Sequence, residues 1–138
     1  DHKKRRPADW ITAEVPRHLS DALPQLFIKA DVILIDCLTV YVATLLYDYR
    51  ECLPRVIEDR AGEEMREILR LLRQSGKSVI LVTNEVGSGI VPPDAVSRLF
   101  RDVAGRVNRL AAAEADEVYL SVSGLAVEIK SRAVTKGE

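Results

Sequence analysis

Apolar residues fall along this chain in two patterns. Ser78-Val79-Ile80-Leu81-Val82 and Ala30-Asp31-Val32-Ile33-Leu34-Ile35-Asp36-Cys37 are short, β-rich and apolar without alternation. That form predicts strands of a parallel sheet covered on both faces. Trp10 to Val15 alternates and is closed by Pro16, which predicts a further strand with Glu14 at its end. Between Arg17 and Phe27, Leu19, Ala22, Leu23 and Leu26 keep helical spacing around Pro24, predicting a short helix or two turns. Leu38 to Tyr49 is apolar around most of its circumference, as in a helix buried on several sides, against a sheet and a neighbouring subunit. After a break at Glu51 to Pro54, Ala61, Met65, Ile68, Leu69 and Leu72 mark an amphipathic helix from Ile57 to Ser75, with Gly76 as its left-handed cap.

The longest helix is expected from Asp94 to Glu114, with Val96, Leu99, Phe100, Val103, Val107, Leu110 and Ala111 as its apolar stripe. Gly105 in its middle costs about 1 kcal/mol against alanine, so close packing against a neighbour or ligand is expected there. Glu117 to Val122, the tight turn Ser123-Gly124 and Leu125 to Ile129 predict a hairpin, followed by a polar tail from Ser131. Strands alternating with helices and ending in a hairpin give an α/β class: a mostly parallel sheet flanked by helices, with an antiparallel C-terminal hairpin.

Composition narrows the class of partner. The 138 residues, 47% of them hydrophobic, suffice for one domain with a sizeable core, and mean hydropathy is near zero. With 20 basic and 21 acidic residues, the net charge of -1 offers no global attraction to nucleic acid or an anionic membrane, so binding is local. The two cysteines, Cys37 and Cys52, make neither a disulfide framework nor a metal-type pair, which points to a reducing cytoplasm. No segment is apolar enough to span a bilayer and no signal peptide opens the chain. Residue 1 is Asp and a run of charged residues precedes the first element, so the sequence reads as though cut from something longer.

Three stretches carry candidate chemistry. Asn84 and Glu85 follow the strand Ser78–Val82, with Gly87 and Gly89 just beyond. Polar groups at the carboxyl end of a sheet strand are where open α/β folds hold ligands, although the same residues also serve a plain strand-loop-helix connection. Asp36 ends its apolar strand as does the magnesium-binding carboxylate of phosphate-loop enzymes; the alternative is that it caps the following helix. Asp1-His2-Lys3-Lys4-Arg5-Arg6-Pro7 sets a histidine beside four cations. Those cations could hold a triphosphate and His2 could act as base or nucleophile, or the run is simply solvated. Gly76-Lys77-Ser78 imitates the end of a phosphate loop, but Leu71 stands where its first glycine belongs and the helix-to-strand order is reversed, which excludes it.

Several motifs occur in one order: Asn84-Glu85-Val86-Gly87-x-Gly89-Ile90-Val91-Pro92, then Phe100-Arg101-Asp102-x-Ala104-Gly105-Arg106-Val107-Asn108, then Ala115-Asp116-Glu117-Val118 and Val122-Ser123-Gly124. With His2, Arg6-Pro7, Trp10, Thr12 and Glu14, they closely resemble the bifunctional adenosylcobinamide kinase/adenosylcobinamide-phosphate guanylyltransferase family of cobalamin biosynthesis. The resemblance implies a fold similar to phosphate-loop and recombinase-like nucleotide enzymes. It implies that adenosylcobinamide is phosphorylated and that GMP passes from GTP to the phosphate through a histidine-GMP intermediate, releasing pyrophosphate. By position, His2 is the nucleophile, Lys3, Lys4, Arg5 and Arg6 contact the nucleotide, Glu14 lies at the guanosine end and Asp36 stands near the phosphates or their Mg2+. Asn84 and Glu85 are loop contacts.

Implied partners are ATP and GTP, adenosylcobinamide and its phosphate, and two further copies in a homotrimer, with the helix from Leu38 and the loop from Asn84 as contact surfaces. The family's first strand and Gly-rich phosphate loop have no counterpart in residues 1–138, so the single nucleotide-binding domain is expected to lack both. The competing class is a non-catalytic oligomerising or nucleotide-binding remnant, which predicts weak or no GTP binding. A nucleic-acid binder is disfavoured by the near-neutral balance and by the absence of aromatics within the basic run.

Overall fold

The computed structural model describes residues 6–134. In chain order the elements are α1 (Leu19–Phe27), β1 (Val32–Asp36), α2 (Leu38–Asp48), α3 (Pro54–Ser75), β2 (Ser78–Val82), α4 (Ala95–Glu114), β3 (Tyr119–Val122) and β4 (Leu125–Glu128). β1 and β2 pair in parallel, Val32 opposite Ser78 through Asp36 opposite Val82. β3 and β4 pair antiparallel, Tyr119 opposite Glu128, as a separate two-stranded sheet. The α/β class, the parallel pairing and the terminal hairpin are those expected from the pattern.

The core is built by the helices. Leu23, Leu38, Met65, Ile68 and Val103, one or more from each of the four helices, are essentially inaccessible. One face of the parallel pair, through Ile35, Val79 and Leu81, packs on that cluster. The two faces of the pair then differ, because strand side chains alternate. Val32, Leu34, Ile80 and Val82 share the opposite face and remain 59%, 43%, 54% and 38% exposed. The expectation of strands covered on both faces is therefore corrected: among the described residues nothing lies over the second face.

Other expectations are also revised. Trp10 to Val15 is irregular, not a strand. Alternation alone cannot make a strand without a neighbouring ladder, and here Trp10 N–H bonds back to Pro7 C=O (3.1 Å) while Arg6 donates to Thr12 Oγ1 (3.0 Å). α2 buries only Leu38, Val42 and Leu46, leaving Val40 and Tyr47 exposed, so it is covered along one side. α1 runs through Pro24 without a break: the proline forgoes one bond to Ser20, and packing of Leu19 and Leu23 outweighs that loss. α3, at 22 residues, is longer than α4 at 20, because Pro54 opens it at a first-turn position. Val96 lies outside the buried stripe of α4, and a Cβ on Gly105 would meet open space, so close packing among the described residues does not account for that glycine.

Chain reversals follow their residue chemistry. Gly76 caps α3 at φ 66°, with Lys77 turned to Asp31 (3.2 Å), so the segment is a helix-to-strand turn. Ser123 and Gly124 both hold positive φ, as a two-residue hairpin requires. Lys130 Nζ ties the hairpin to α4 by donating to the carbonyls of Ala112 (2.8 Å), Ala113 (2.9 Å) and Ala115, the orphan acceptors of that helix end.

Candidate functional site at the carboxyl edge of the parallel strands

β1 and β2 end side by side, and there the polar residues gather. Asp36 is the last residue of β1 and lies opposite Val82, on the same face as exposed Leu34 and Ile80. The cap of α2 is Cys37, without a side-chain capping bond, so Asp36 does not serve as the helix cap. Its carboxylate is exposed and makes no hydrogen bond or ion pair among the described residues.

In the first turn of α2, Thr39 reaches the end of β2. Its Oγ1 accepts from Asn84 N–H (2.9 Å) and lies 3.4 Å from Thr83 Oγ1. From α4, Asn108 accepts from Thr83 Oγ1 (2.7 Å) and donates through Nδ2 to Asn84 C=O (3.0 Å). The loop beyond is held by the same helix: Arg101 donates to Gly87 C=O (2.6 Å), and Arg98 to the carbonyls of Pro92 (3.0 Å) and Pro93 (2.6 Å). Glu85 accepts from Gly87 N–H (2.8 Å), and its oxygen would lie 2.6 Å from a Cβ on residue 87, so any side chain there would displace this bond. Gly87 thus permits the tight return, and Glu85 braces the loop. Asp94 caps α4 by accepting from Ser97 N–H (2.7 Å), which holds its carboxyl below the usual carboxylate range.

Of the residues singled out in the sequence, the structure brings Asp36 and Asn84 to one edge, with Glu85 beside them. Arg6 and exposed Glu14 lie in the irregular segment before α1. His2, Lys3, Lys4 and Arg5 lie outside the described residues. Sequence reasoning missed Thr39, Thr83 and Asn108. Asn108 closes one of the motifs that carry the resemblance but had no role assigned, and Thr39 and Thr83 gave only a faint signal, small polar residues beside apolar elements, with separations of 44 and 25 positions along the three. Among the described residues no group of three or more His, Cys, Asp or Glu could hold a metal. A lone carboxylate still fits magnesium, which takes one or two protein carboxylates and fills its remaining positions with water and substrate phosphate.

Away from that edge, a concavity of about 520 Å³ runs along α2 and α3 and includes Tyr41, Asp48, Arg60 and Glu64. Tyr41 Oη donates to Glu64 Oε1 (2.7 Å) and accepts from Leu19 N–H (3.1 Å), and Ser20 Oγ also donates to Glu64 (3.1 Å). Burial, with Glu64 adding to it, pushes the Tyr41 hydroxyl up, so it stays protonated. Arg17 and Asp48 form a two-pronged pair (2.7 and 2.9 Å). These groups satisfy one another, as befits a junction between helices.

Comparison with known proteins bears on the first site. A family profile described as cobinamide kinase / cobinamide phosphate guanyltransferase matches residues 1–129. The chain is 43% identical over 135 residues to the bifunctional adenosylcobalamin biosynthesis protein CobU of Salmonella typhimurium, covering 94% of this chain and 75% of that one. It is 39% identical over 135 residues to CobU of Escherichia coli, with the same coverage. It is 33% identical over 132 residues to the bifunctional protein CobP of Pseudomonas aeruginosa, covering 94% of this chain and 71% of the relative. Taken with a polar edge at the carboxyl ends of parallel strands, that similarity decides the lineage: the chain belongs to the cobinamide kinase / cobinamide phosphate guanyltransferase family.

Proposed function

We propose that the protein works in cobalamin biosynthesis as a kinase and guanylyltransferase. It phosphorylates adenosylcobinamide, then transfers GMP from GTP to the resulting phosphate. The observation that carries this reading is the family match through residues 1–129, a span that includes both the basic run behind His2 and the polar edge at Asp36 and Asn84.

In the guanylyl transfer, a nitrogen of the neutral His2 imidazole attacks the α-phosphorus of GTP. A P–N bond forms as the P–O bond to pyrophosphate breaks, and pyrophosphate leaves. An oxygen of adenosylcobinamide phosphate then attacks the same phosphorus, the P–N bond breaks, and the histidine is regenerated. Lys3, Lys4, Arg5 and Arg6 offset the charge that grows on the phosphate oxygens, and Glu14 lies toward the guanosine. At the other end, Asp36 would hold Mg2+, which would neutralise charge on the nucleotide phosphates, and Asn84 contacts the substrate while Glu85 shapes its loop.

The single nucleotide-binding domain of this proposal needs one more strand and a phosphate loop, which the described residues do not supply. The exposed face of β1 and β2 and the separation of the two sheets support that requirement. The exposed Val40 and Tyr47 of α2, and Ile90 and Val91 of the loop, offer apolar surface for contact between copies in the proposed homotrimer. Two free thiols, Cys37 and Cys52, support action in the reducing cytoplasm. No helix among the described residues is long and apolar enough to cross a membrane.

Intact mass after incubation with GTP and Mg2+ tests the central step. One acid-labile GMP adduct is expected, chased by adenosylcobinamide phosphate and lost in His2→Ala. A folded protein that gains no adduct and transfers no GMP refutes the guanylyltransferase reading.

A further inference from the structure

Four hydrogen bonds at the carboxyl edge close into a ring whose directions can all be assigned. Asn84 C=O is only an acceptor, so the group of Asn108 that faces it must be the amide nitrogen, which leaves Oδ1 toward Thr83. Thr83 therefore spends its proton on Asn108. Across the 3.4 Å gap between the two hydroxyls, Thr39 must then be the donor and Thr83 the acceptor. Thr39 Oγ1 in turn accepts the N–H of Asn84. The circuit runs from Asn84 N–H to Thr39, Thr83, Asn108 and back to Asn84 C=O, through α2, the end of β2 and α4.

Its product is a single residue held at both backbone polar groups just where the strand ladder stops. The carboxamide of Asn84 takes no part in the ring, is exposed, and has no hydrogen-bond partner among the described residues. On the neighbouring strand Asp36, likewise unpartnered among the described residues, faces Val82, and Asn84 follows two positions beyond that last pair. A ring that uses every donor of two threonines and fixes the backbone of a third residue, while leaving that residue's amide free, orients the amide toward something else. An exposed N–H donor held against rotation of its backbone, next to a carboxylate able to take magnesium, suits the oxygens of a nucleotide polyphosphate.

We propose that Thr39, Thr83 and Asn108 are positioning residues, which aim the Asn84 carboxamide at the phosphate oxygens of the nucleoside triphosphate. This rests on the kinase and guanylyltransferase reading above. Thr83→Val breaks the two links made by that hydroxyl, to Thr39 and to Asn108, and Asn108→Asp breaks one, because a carboxylate cannot donate to Asn84 C=O, whereas Thr39→Ser preserves its links.

Both transfers are to be assayed separately in the wild type and the three variants. NMR then follows backbone amide exchange at Asn84 and the response of its side-chain NH2 to ATP or GTP with Mg2+. Thr83→Val and Asn108→Asp are expected to lower kcat of a nucleotide-consuming step by about tenfold to a hundredfold with nucleotide KM little changed. Thr39→Ser is expected to retain activity. Because the links form one circuit, the Thr83→Val/Asn108→Asp double variant should be hardly worse than either single one.

Unchanged kcat in both folded single variants, or full additivity in the double, overturns the proposal. A wild-type protein performing neither transfer refutes the functional reading instead. The ring is then decided by NMR: a slowly exchanging Asn84 amide and a side-chain NH2 that shifts with ATP or GTP in the wild type but not in Thr83→Val sustain it. A fast-exchanging amide or an unresponsive NH2 overturns it.

Discussion

Replacing Tyr41 by Phe isolates the junction that joins α1, α2 and α3. The ring and its packing are retained, and a single oxygen is removed. That oxygen donates to Glu64 (2.7 Å) and accepts the N–H of Leu19 (3.1 Å). Leu19 is the first residue of α1, so its N–H has no partner within the helix, and His18 before it supplies no side-chain cap. Tyr41 thus performs from another helix the task an N-cap side chain usually performs locally.

Each lost bond removes about 1 kcal/mol net, and stranding the N–H of a buried leucine adds to this, so a destabilisation of about 2 to 3 kcal/mol is expected. For a chain of this size that corresponds to roughly 6 to 12 °C in Tm. Ser20→Ala removes only the second donor to Glu64 and is expected to cost under about 1 kcal/mol. Urea denaturation of both variants at neutral pH measures the difference as a change of midpoint at constant slope. A Tyr41→Phe protein within about 0.5 kcal/mol of wild type would mean that water replaces the hydroxyl freely and that the junction is not sealed.

Two other perturbations read local chemistry. Glu128 accepts from Ser131 Oγ, from Ser131 N–H (3.0 Å), and from the N–H groups of Lys130 (2.8 Å) and Val118 (3.2 Å), which lower its pKa from the ordinary 4.5 to about 2. A depressed folded pKa means that the stabilisation is fully present above the unfolded value and disappears as pH falls through about 2. The stability gap between wild type and Glu128→Gln, followed by urea midpoints, should therefore shrink from neutral toward acid pH. Gly76→Ala is expected to cost about 1 kcal/mol because residue 76 holds φ 66°. Gly105→Ala, in a helix interior with open space at its Cβ, is expected to gain up to about 1 kcal/mol in the monomer. A loss at Gly105 would indicate a partner surface packed there.

Much of the fold was legible because it rests on local regularities. The uninterrupted apolar runs at Val32–Ile35 and Val79–Val82, the helical stripe from Ala61 to Leu72, glycine at a left-handed cap and Ser-Gly in a hairpin turn each state their conformation within a few residues. Asp36 and Asn84 were visible for the same reason, since a polar residue ending an apolar strand marks the carboxyl edge of a parallel sheet. Family kinship was legible too, in motifs whose order spans most of the chain.

What the chain alone does not encode locally was decided by tertiary contact. Trp10 to Val15 alternates like a strand but has no ladder to join, and Pro24 sits inside a helix because the burial of Leu19 and Leu23 before it outweighs one missing bond. Whether a strand is covered on one face or two depends on which layers surround it, and the same sequence VILID serves either case. Thr39 and Thr83 are unremarkable polar residues in the linear text, and Asn108 stands there only as the end of a motif with no stated role. Only the approach of α2 and α4 to the end of β2 brings their hydroxyls and amide within hydrogen-bonding distance, where three weak local signals become one closed ring around Asn84.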